Sequence, residues 1–146
     1  VCYERECHDA YGATWRIMIR TVTIDGNDDI HGEVWDEDGT YPDPYICLIV
    51  GNPGEEEEYC TETVENAITP EYDSFRPEIV LESRQQFQVL LCDDDGLGDD
   101  NPCYLINNST QVSIEHLRSD TWTITPPSQF DMTEYAVTFA LLMIAE

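Results

Sequence analysis

Apolar residues occupy every second position over residues 15–19, and this period of two predicts a half-buried β-strand. The alternation resumes at Val22 and Ile24, but on the opposite parity. A change of parity would turn the apolar side chains to the other face of a sheet unless one extra residue is accommodated. We therefore expect a β-bulge near Arg20 or Thr21.

Short apolar or alternating runs separated by turn residues predict the other strands. Residues 45–50 form an apolar run that stops at the turn sequence Gly-Asn-Pro-Gly, and the Thr- and Val-rich residues 59–64 are predicted to return as its partner. Alternation also marks residues 87–91, 122–124 and 135–143. Since no window has convincing helical periodicity, we predict an all-β fold, an antiparallel β-sandwich of eight strands.

Length and charge limit the function classes. The chain has 146 residues, enough for one domain, and we place an N-terminal tethered segment at residues 1–14 and the sandwich at residues 15–146. It carries 31 acidic residues against six arginines and no lysine, a formal net charge of −25. Nucleic acid is excluded as a partner, because nothing here could neutralise a phosphate backbone. A solubilising or salt-adapted surface would explain the overall acidity, but not its clustering.

The densest cluster is residues 92–103, CDDDGLGDDNPC, which places five aspartates and an asparagine between two cysteines. Neighbouring carboxylates at a protein surface repel by roughly 1–3 kcal/mol per pair. A loop held at both ends cannot spread its charges far. The segment is therefore either a solvated loop or a site for a cation.

Six cysteines without metal-ligand spacing indicate disulfides and an oxidising compartment. The predicted strands select the pairs: Cys47–Cys60 joins two neighbouring strands, Cys92–Cys103 brackets the acidic loop, and Cys2–Cys7 remains. Free buried cysteines are the alternative. The chain begins at Val1 with no signal peptide, as expected of a processed, secreted protein.

Three segments, taken in order, resemble the C2 domain family. Residues 36–46 (DEDGTYPDPYI) are similar to the family's first calcium loop and the strand that follows it. Residues 63–75 (TVENAITPEYDSF) resemble its conserved corner, with Thr69 for the usual Asn and Tyr72 for the usual Trp. Residues 87–106, a strand that runs into Asp93-x-Asp95, are similar to its third calcium loop. The strong closing strand resembles the circularly permuted variant of the family, in which the last strand replaces the usual first.

The resemblance implies calcium, a hard cation that takes six to eight oxygen ligands. It assigns Asp43 and either Asp36 or Asp38 from the first loop, and Asp93 and Asp95 from the third. Its remaining side-chain ligand is one of three residues: Asp99, Asp100 or Asn101. Loops that have lost calcium are one alternative, and EF-hand-like Asp-x-Asp-Gly loops are another. Neither Asp-x-Asp-Gly sequence is followed by the Glu and flanking helices of an EF-hand.

The resulting functional expectation is a secreted, calcium-binding C2-like module that binds a protein or carbohydrate partner or a second copy of itself. The alternative is a structural subunit of an extracellular assembly. Membrane binding is disfavoured, because a domain of charge −25 is repelled by anionic lipid, and Glu62 and Glu65 replace the family's usual lysine-rich patch. We expect no enzymatic activity, since neither a catalytic triad order nor a phosphate loop occurs.

Overall fold

The structure is a computed structural model. It describes residues 9–25, 40–94, 103–107, 110–113, 116–117, 121–125 and 135–144, together with the backbone of residues 2–3 and 6–7. Eleven strands lie in this part of the chain. They are β1 (Cys2–Tyr3), β2 (Glu6–Cys7), β3 (Thr14–Thr23), β4 (Pro44–Gly51), β5 (Glu57–Cys60), β6 (Glu78–Val80), β7 (Gln86–Asp93), β8 (Cys103–Leu105), β9 (Thr110–Gln111), β10 (Thr121–Ile124) and β11 (Ala136–Met143).

Nine of these strands form two antiparallel sheets, which confirms the β-sandwich. One sheet has the order β10-β11-β3-β6, and the other has the order β5-β4-β7-β8 with β9 also on β7. The closing strand β11 lies directly beside the opening strand β3, the arrangement that the permuted order predicts. The short strands β1 and β2 pair with each other and place Cys2 opposite Cys7. The predicted Cys2–Cys7 disulfide itself lies outside the described side chains, and the division at residue 14 stays a prediction.

The predicted bulge occurs at Arg20. Thr138 of β11 lies opposite Thr21 while its neighbour Phe139 lies opposite Ile19, so Arg20 is the additional residue on β3. Arg20 and Thr21 are exposed, whereas Ile19 and Val22 on either side are buried. The bulge therefore keeps both halves of β3 facing the core despite the change of parity.

The core lies between the inner faces of the two sheets. Trp15, Ile17 and Phe139 from one sheet, and Leu48 and Phe87 from the other, are at most 2% exposed. The one polar group of Trp15 is satisfied, because its indole Nε1–H donates to the Ala10 carbonyl at 3.0 Å. This continuous core fixes the two sheets relative to each other and so positions the loops at each end.

The partner of β4 differs from the sequence prediction. The strand occupies Glu57–Cys60, so the prediction of a strand over residues 61–64 is wrong. At Thr61 the side-chain hydroxyl, in place of the main-chain carbonyl, receives the Ile46 N–H at 3.0 Å, and the ladder ends there. Thr61 N–H still donates to the Ile46 carbonyl at 2.9 Å. The chain then continues beside β4 without forming a regular strand.

Both described disulfides join residues that lie opposite each other on adjacent strands. Cys47 on β4 is bonded to Cys60 on β5, and Cys92 on β7 is bonded to Cys103 on β8, each with a Cα–Cα distance of 4.1 Å. These are the two pairs that the predicted strands select. Two disulfides indicate an oxidising environment.

Candidate functional site

The predicted acidic loops adjoin one end of the five-stranded sheet, where β4 begins and β7 ends. The two strands are antiparallel, and Pro44 at the start of β4 lies opposite Asp93 at the end of β7. Asp43 and Asp93 are therefore neighbours across the sheet although they are 50 residues apart. Strand register alone brings the two acidic segments together.

A network of hydrogen bonds fixes three aspartates at this end. The Asp93 side chain is 1% exposed, and its Oδ1 accepts the Asp43 N–H at 2.7 Å. Asp94 N–H donates to the Asp43 carbonyl at 3.1 Å, and Asp94 Oδ2 accepts the Thr63 hydroxyl at 3.0 Å. Asp43 Oδ1 in turn accepts the Asn66 N–H at 2.6 Å. Each carboxylate thus uses at least one oxygen to accept a hydrogen bond from a neighbouring segment, which fixes its position.

The segment after β5 supports the aspartates from outside the sheet. Val64 N–H donates to the Pro44 carbonyl at 3.1 Å, and Ala67 N–H donates to the Pro42 carbonyl at 2.9 Å. The buried Tyr72 hydroxyl also donates to the Pro44 carbonyl, at 2.6 Å. Burial, which disfavours the phenolate, raises the pKa of Tyr72 far above its ordinary value. Tyr72 therefore stays a hydrogen-bond donor at any physiological pH and holds the start of β4 in place.

The ends of both acidic segments meet at this support. The chain leaves the described residues at Asp25 and returns at Thr40. Ile24, one residue before Asp25, donates its N–H to the Ile68 carbonyl at 3.1 Å. Pro42, two residues after Thr40, accepts the Ala67 N–H at its carbonyl. The second acidic segment leaves after Asp94 and returns at Cys103, which is disulfide-bonded to Cys92. Both segments are thus anchored at the same end of the sandwich.

Comparison with solved structures identifies this architecture. The C2A domain of a plant extended synaptotagmin 1 superposes with a TM-score of 0.63 over 93% of this chain and 98% of that one, at 10% sequence identity. The C2A- and C2B-domains of extended synaptotagmin 2 match with a TM-score of 0.56 and 14% identity, over 98% of this chain and 45% of that one. The chain has a C2-like fold. At these identities the likeness extends to the fold alone.

A third similar structure is human GIVD cytosolic phospholipase A2, determined with an inhibitor and terbium chloride. It matches with a TM-score of 0.55 and 17% identity, over 93% of this chain and only 18% of that protein. The C2-like chain thus spans less than half of the second and third of these structures. No protein-family model and no curated protein sequence matches the chain.

The C2-like fold brings together the predicted ligands Asp43 and Asp93 and adds Asp94, which the sequence analysis did not single out. Asp94 could have been recognised in the sequence, because it is the middle residue of three consecutive aspartates. The other predicted ligands lie outside the described residues: Asp36, Asp38, Asp95, Asp99, Asp100 and Asn101.

The described carboxylates at this end do not by themselves form a compact three-ligand site. Within the described residues, the one group of three potential ligands whose donor atoms all lie within 4.8 Å of one another is Cys47, Glu58 and Cys60. Its two sulfurs are joined in a disulfide, so it lacks the thiolates that a metal would require.

No helix within the described residues is long and apolar enough to cross a membrane.

Proposed function

We propose that this chain is a secreted, calcium-binding C2-like interaction module. The observation that carries the proposal is the hydrogen bond between Asp43 N–H and Asp93 Oδ1, which places the ends of two aspartate-rich segments side by side. The resemblance of these two segments to the calcium loops of the C2 family assigns them to one calcium site. Their adjacency supports that assignment.

The residues present fit a hard divalent cation. Carboxylate and carbonyl oxygens are the ligands that Ca²⁺ takes, at flexible geometry and high coordination number. The proposed ligands from the described part are Asp43 and Asp93, with Asp94 beside them. Completion of the shell is assigned to Asp95, to Asp36 or Asp38, and to one of Asp99, Asp100 and Asn101. Magnesium fits less well, because it demands a smaller, near-octahedral site and retains its water.

Calcium would stabilise the folded protein by offsetting like-charge repulsion. Carboxylates held close together repel one another, and a bound cation would offset that repulsion. At extracellular calcium near 1 mM and a dissociation constant of about 0.1 mM, each ion contributes roughly 1.4 kcal/mol. For a domain of this length, that contribution corresponds to a rise in melting temperature of roughly 3–5 °C per ion.

The test is a thermal melt with a parallel calorimetric titration of the apo protein, with Ca²⁺ and with Mg²⁺. We expect calcium to raise the melting temperature and magnesium to do so much less. The double variant Asp93→Asn, Asp95→Asn should fold but lose the calcium-dependent increase. Asparagine at position 93 keeps the oxygen that accepts the Asp43 N–H, so the hydrogen bond survives while the charge is lost.

A matched control removes the same charge elsewhere. Asp9 and Glu82 are both exposed and lie near the start of β3, because Asp9 precedes that strand and Glu82 follows Leu81, whose N–H donates to the Ala13 carbonyl. The start of β3 is about 30 Å from its Ile24 end. The double variant Asp9→Asn, Glu82→Gln should retain the full calcium response. Equal loss in both double variants would indicate diffuse counter-ion binding, and no calcium heat together with an unchanged melting temperature would refute the calcium site.

For the module's partner we propose a protein, a carbohydrate or a second copy, with no catalytic step assigned to any residue. The two disulfides support secretion. The charge of −25 supports a role away from anionic membranes.

A further inference from the structure

A groove runs between the edge strands of the two sheets. In the sheet orders formed by the described residues, β5 is the outer strand of one sheet and β6 is the outer strand of the other. Two adjoining cavities of about 380 and 260 Å³ lie between them, and Tyr59 lines both. Ser74 donates a hydrogen bond to Glu62 at 3.1 Å across one end. The groove is therefore defined by β5 and residues 61–62 on one side and residues 74–80 on the other.

Some main-chain N–H and C=O groups of β5 point away from β4, toward this outer edge. Thr61 N–H bonds to the Ile46 carbonyl, which makes Ile46 and Thr61 a hydrogen-bonded pair of the ladder. Such pairs alternate along an antiparallel ladder, so Cys60 and Glu58 occupy the non-hydrogen-bonded positions. At those positions the N–H and C=O groups point away from β4. The disulfide to Cys47 fixes Cys60 in this orientation.

The groove is strongly acidic above an apolar floor. Exposed glutamates line the two cavities: Glu55, Glu57, Glu62, Glu78 and Glu82. Three described arginines lie at or near the groove. Arg76 lines the smaller cavity, and its Nε donates to the Asp73 carbonyl; Arg16 pairs with Glu78, and Arg84 is two residues beyond Glu82. Acidic residues therefore outnumber basic ones along the groove. Beneath the carboxylates lie Ile79 and Phe75, which are 6% and 8% exposed.

Tyr59 stands between the two cavities. Its hydroxyl donates to a Glu57 carboxylate oxygen. That hydrogen bond, together with partial burial and the negative charge of Glu57, raises the pKa of Tyr59 to about 12. At neutral pH the ring is therefore uncharged and orients the Glu57 carboxylate within the groove.

We propose that this groove binds an extended, lysine- or arginine-rich segment of a partner protein, which adds as a strand to the edge of β5. The outward N–H and C=O groups of Glu58 and Cys60 would pair with the main chain of that segment. Its cationic side chains would reach Glu57 and Glu62, and its apolar side chains would cover Phe75 and Ile79. A second copy of this chain is a poor occupant, because it carries the same charge of −25 and no lysine.

Glutamates on an edge strand can also serve only to prevent strand pairing. The two functions are distinguishable, because protective charge would reject every added strand, whereas a docking groove accepts a cationic one. The proposal uses residues distinct from the aspartates of the calcium site. It is therefore tested in EDTA, so that its outcome is independent of calcium binding.

The experiment measures fluorescence anisotropy of a labelled heptapeptide with alternating lysine and valine. We expect saturable binding that weakens with salt, and no binding of the matched peptide with glutamate in place of lysine. The double variant Glu57→Gln, Glu62→Gln should bind about five- to tenfold more weakly, since each exposed ion pair contributes a few-fold. Glutamine retains the acceptor oxygens for the Tyr59 and Ser74 hydroxyls, so the groove keeps its shape.

Two controls make the result specific. Glu65 and Glu71 are exposed glutamates outside the groove, and the double variant Glu65→Gln, Glu71→Gln should bind the lysine peptide as the unaltered protein does. Two further peptides keep the lysine charges but are N-methylated at alternate residues, one at the odd positions and the other at the even positions. Each therefore lacks the main-chain N–H donors along one of its two edges. At least one of them should bind much more weakly. Equal loss in both double variants, unchanged binding of both N-methylated peptides, or no binding of the lysine peptide would each overturn the proposal.

Discussion

Between β8, which ends at Leu105, and β9, which begins at Thr110, the side chain of Asn107 bonds to the main chain of β7 in place of a neighbouring strand. Its Oδ1 accepts the Val89 N–H at 2.8 Å, and its Nδ2 donates to the Phe87 carbonyl at 2.8 Å and to Thr110 Oγ1 at 3.1 Å. Phe87 and Val89 are fully buried, and Asn107 itself is 5% exposed. We predict that Asn107→Ala is one of the most destabilising single substitutions in this protein.

The magnitude follows from the two main-chain groups that the substitution leaves without a partner. An unsatisfied buried donor or acceptor costs about 1–3 kcal/mol, so the loss at Val89 and Phe87 amounts to roughly 4 kcal/mol. A domain of this size has a total stability of about 5–15 kcal/mol. The expected decrease in melting temperature is about 10 °C.

The assay is urea unfolding followed by circular dichroism, with the disulfides intact and in EDTA. Asn107→Asp adds a test of the donor. A carboxylate there would face the Phe87 carbonyl, whereas the protonated acid can donate to it, so burial should raise the folded-state pKa above the unfolded value of about 3.9. The stability deficit of Asn107→Asp should therefore grow as pH rises through and above that value.

Asn52→Asp, in an exposed turn, is the control for the added charge and should show little of this pH dependence. A cost below about 1 kcal/mol for Asn107→Ala would refute the reasoning, because it would mean that Val89 and Phe87 find other hydrogen-bond partners. An Asn107→Asp deficit that does not change with pH would contradict the role of Nδ2 as donor.

Two further predictions concern crosslinks and register. Non-reducing peptide mapping should recover Cys47–Cys60 and Cys92–Cys103 as linked peptides. Removal of either disulfide should lower the free energy of unfolding, measured in urea, by about 3 kcal/mol. A Cys92 peptide found as a free thiol or linked elsewhere would contradict the strand pairing. Deletion of Arg20 should cost less than about 1.5 kcal/mol, because it removes the bulge and leaves both halves of β3 facing the core. Deletion of Met18 should cost about 3 kcal/mol or more, because Arg20 then takes the core-facing position of Ile19 opposite Phe139. Similar melting temperatures for the two deletions would refute the bulge assignment.

Alternation predicts most of the sandwich because one face of each long strand is buried. The parity change in β3 is informative for the same reason: a strand with one apolar face cannot change parity without an extra residue. The limits of β5 were not predictable in this way. Residues 61–64 have the composition of a strand, but the Thr61 hydroxyl competes with its own main chain for Ile46, and composition does not reveal that competition.

The candidate calcium site was predictable only in part. The resemblance to the C2 family assigns Asp43 and Asp93 as ligands. Their adjacency depends on the register of β4 with β7, and no local pattern encodes that register. The groove between β5 and β6 was not predicted at all. It arises because residues 57–62 and 74–80, from different sheets, face each other at an open side of the sandwich, which is a property of the tertiary fold.

The positions of the two disulfides agree with the distribution of charge. Each joins a short outer strand, β5 of four residues or β8 of three, to a central strand of the same sheet. Short strands have few cross-strand pairs to hold them, and both lie next to the densest acidic runs, Glu55–Glu58 and Asp93–Asp95. Repulsion within those runs would tend to pull the outer strands away from the sheet. The long pair β3–β11 makes eight cross-strand pairs and has no disulfide between its strands. Covalent links therefore hold the strands that carry the acidic surfaces, so both the aspartates and the edge groove stay in place whether or not a cation or a partner is bound.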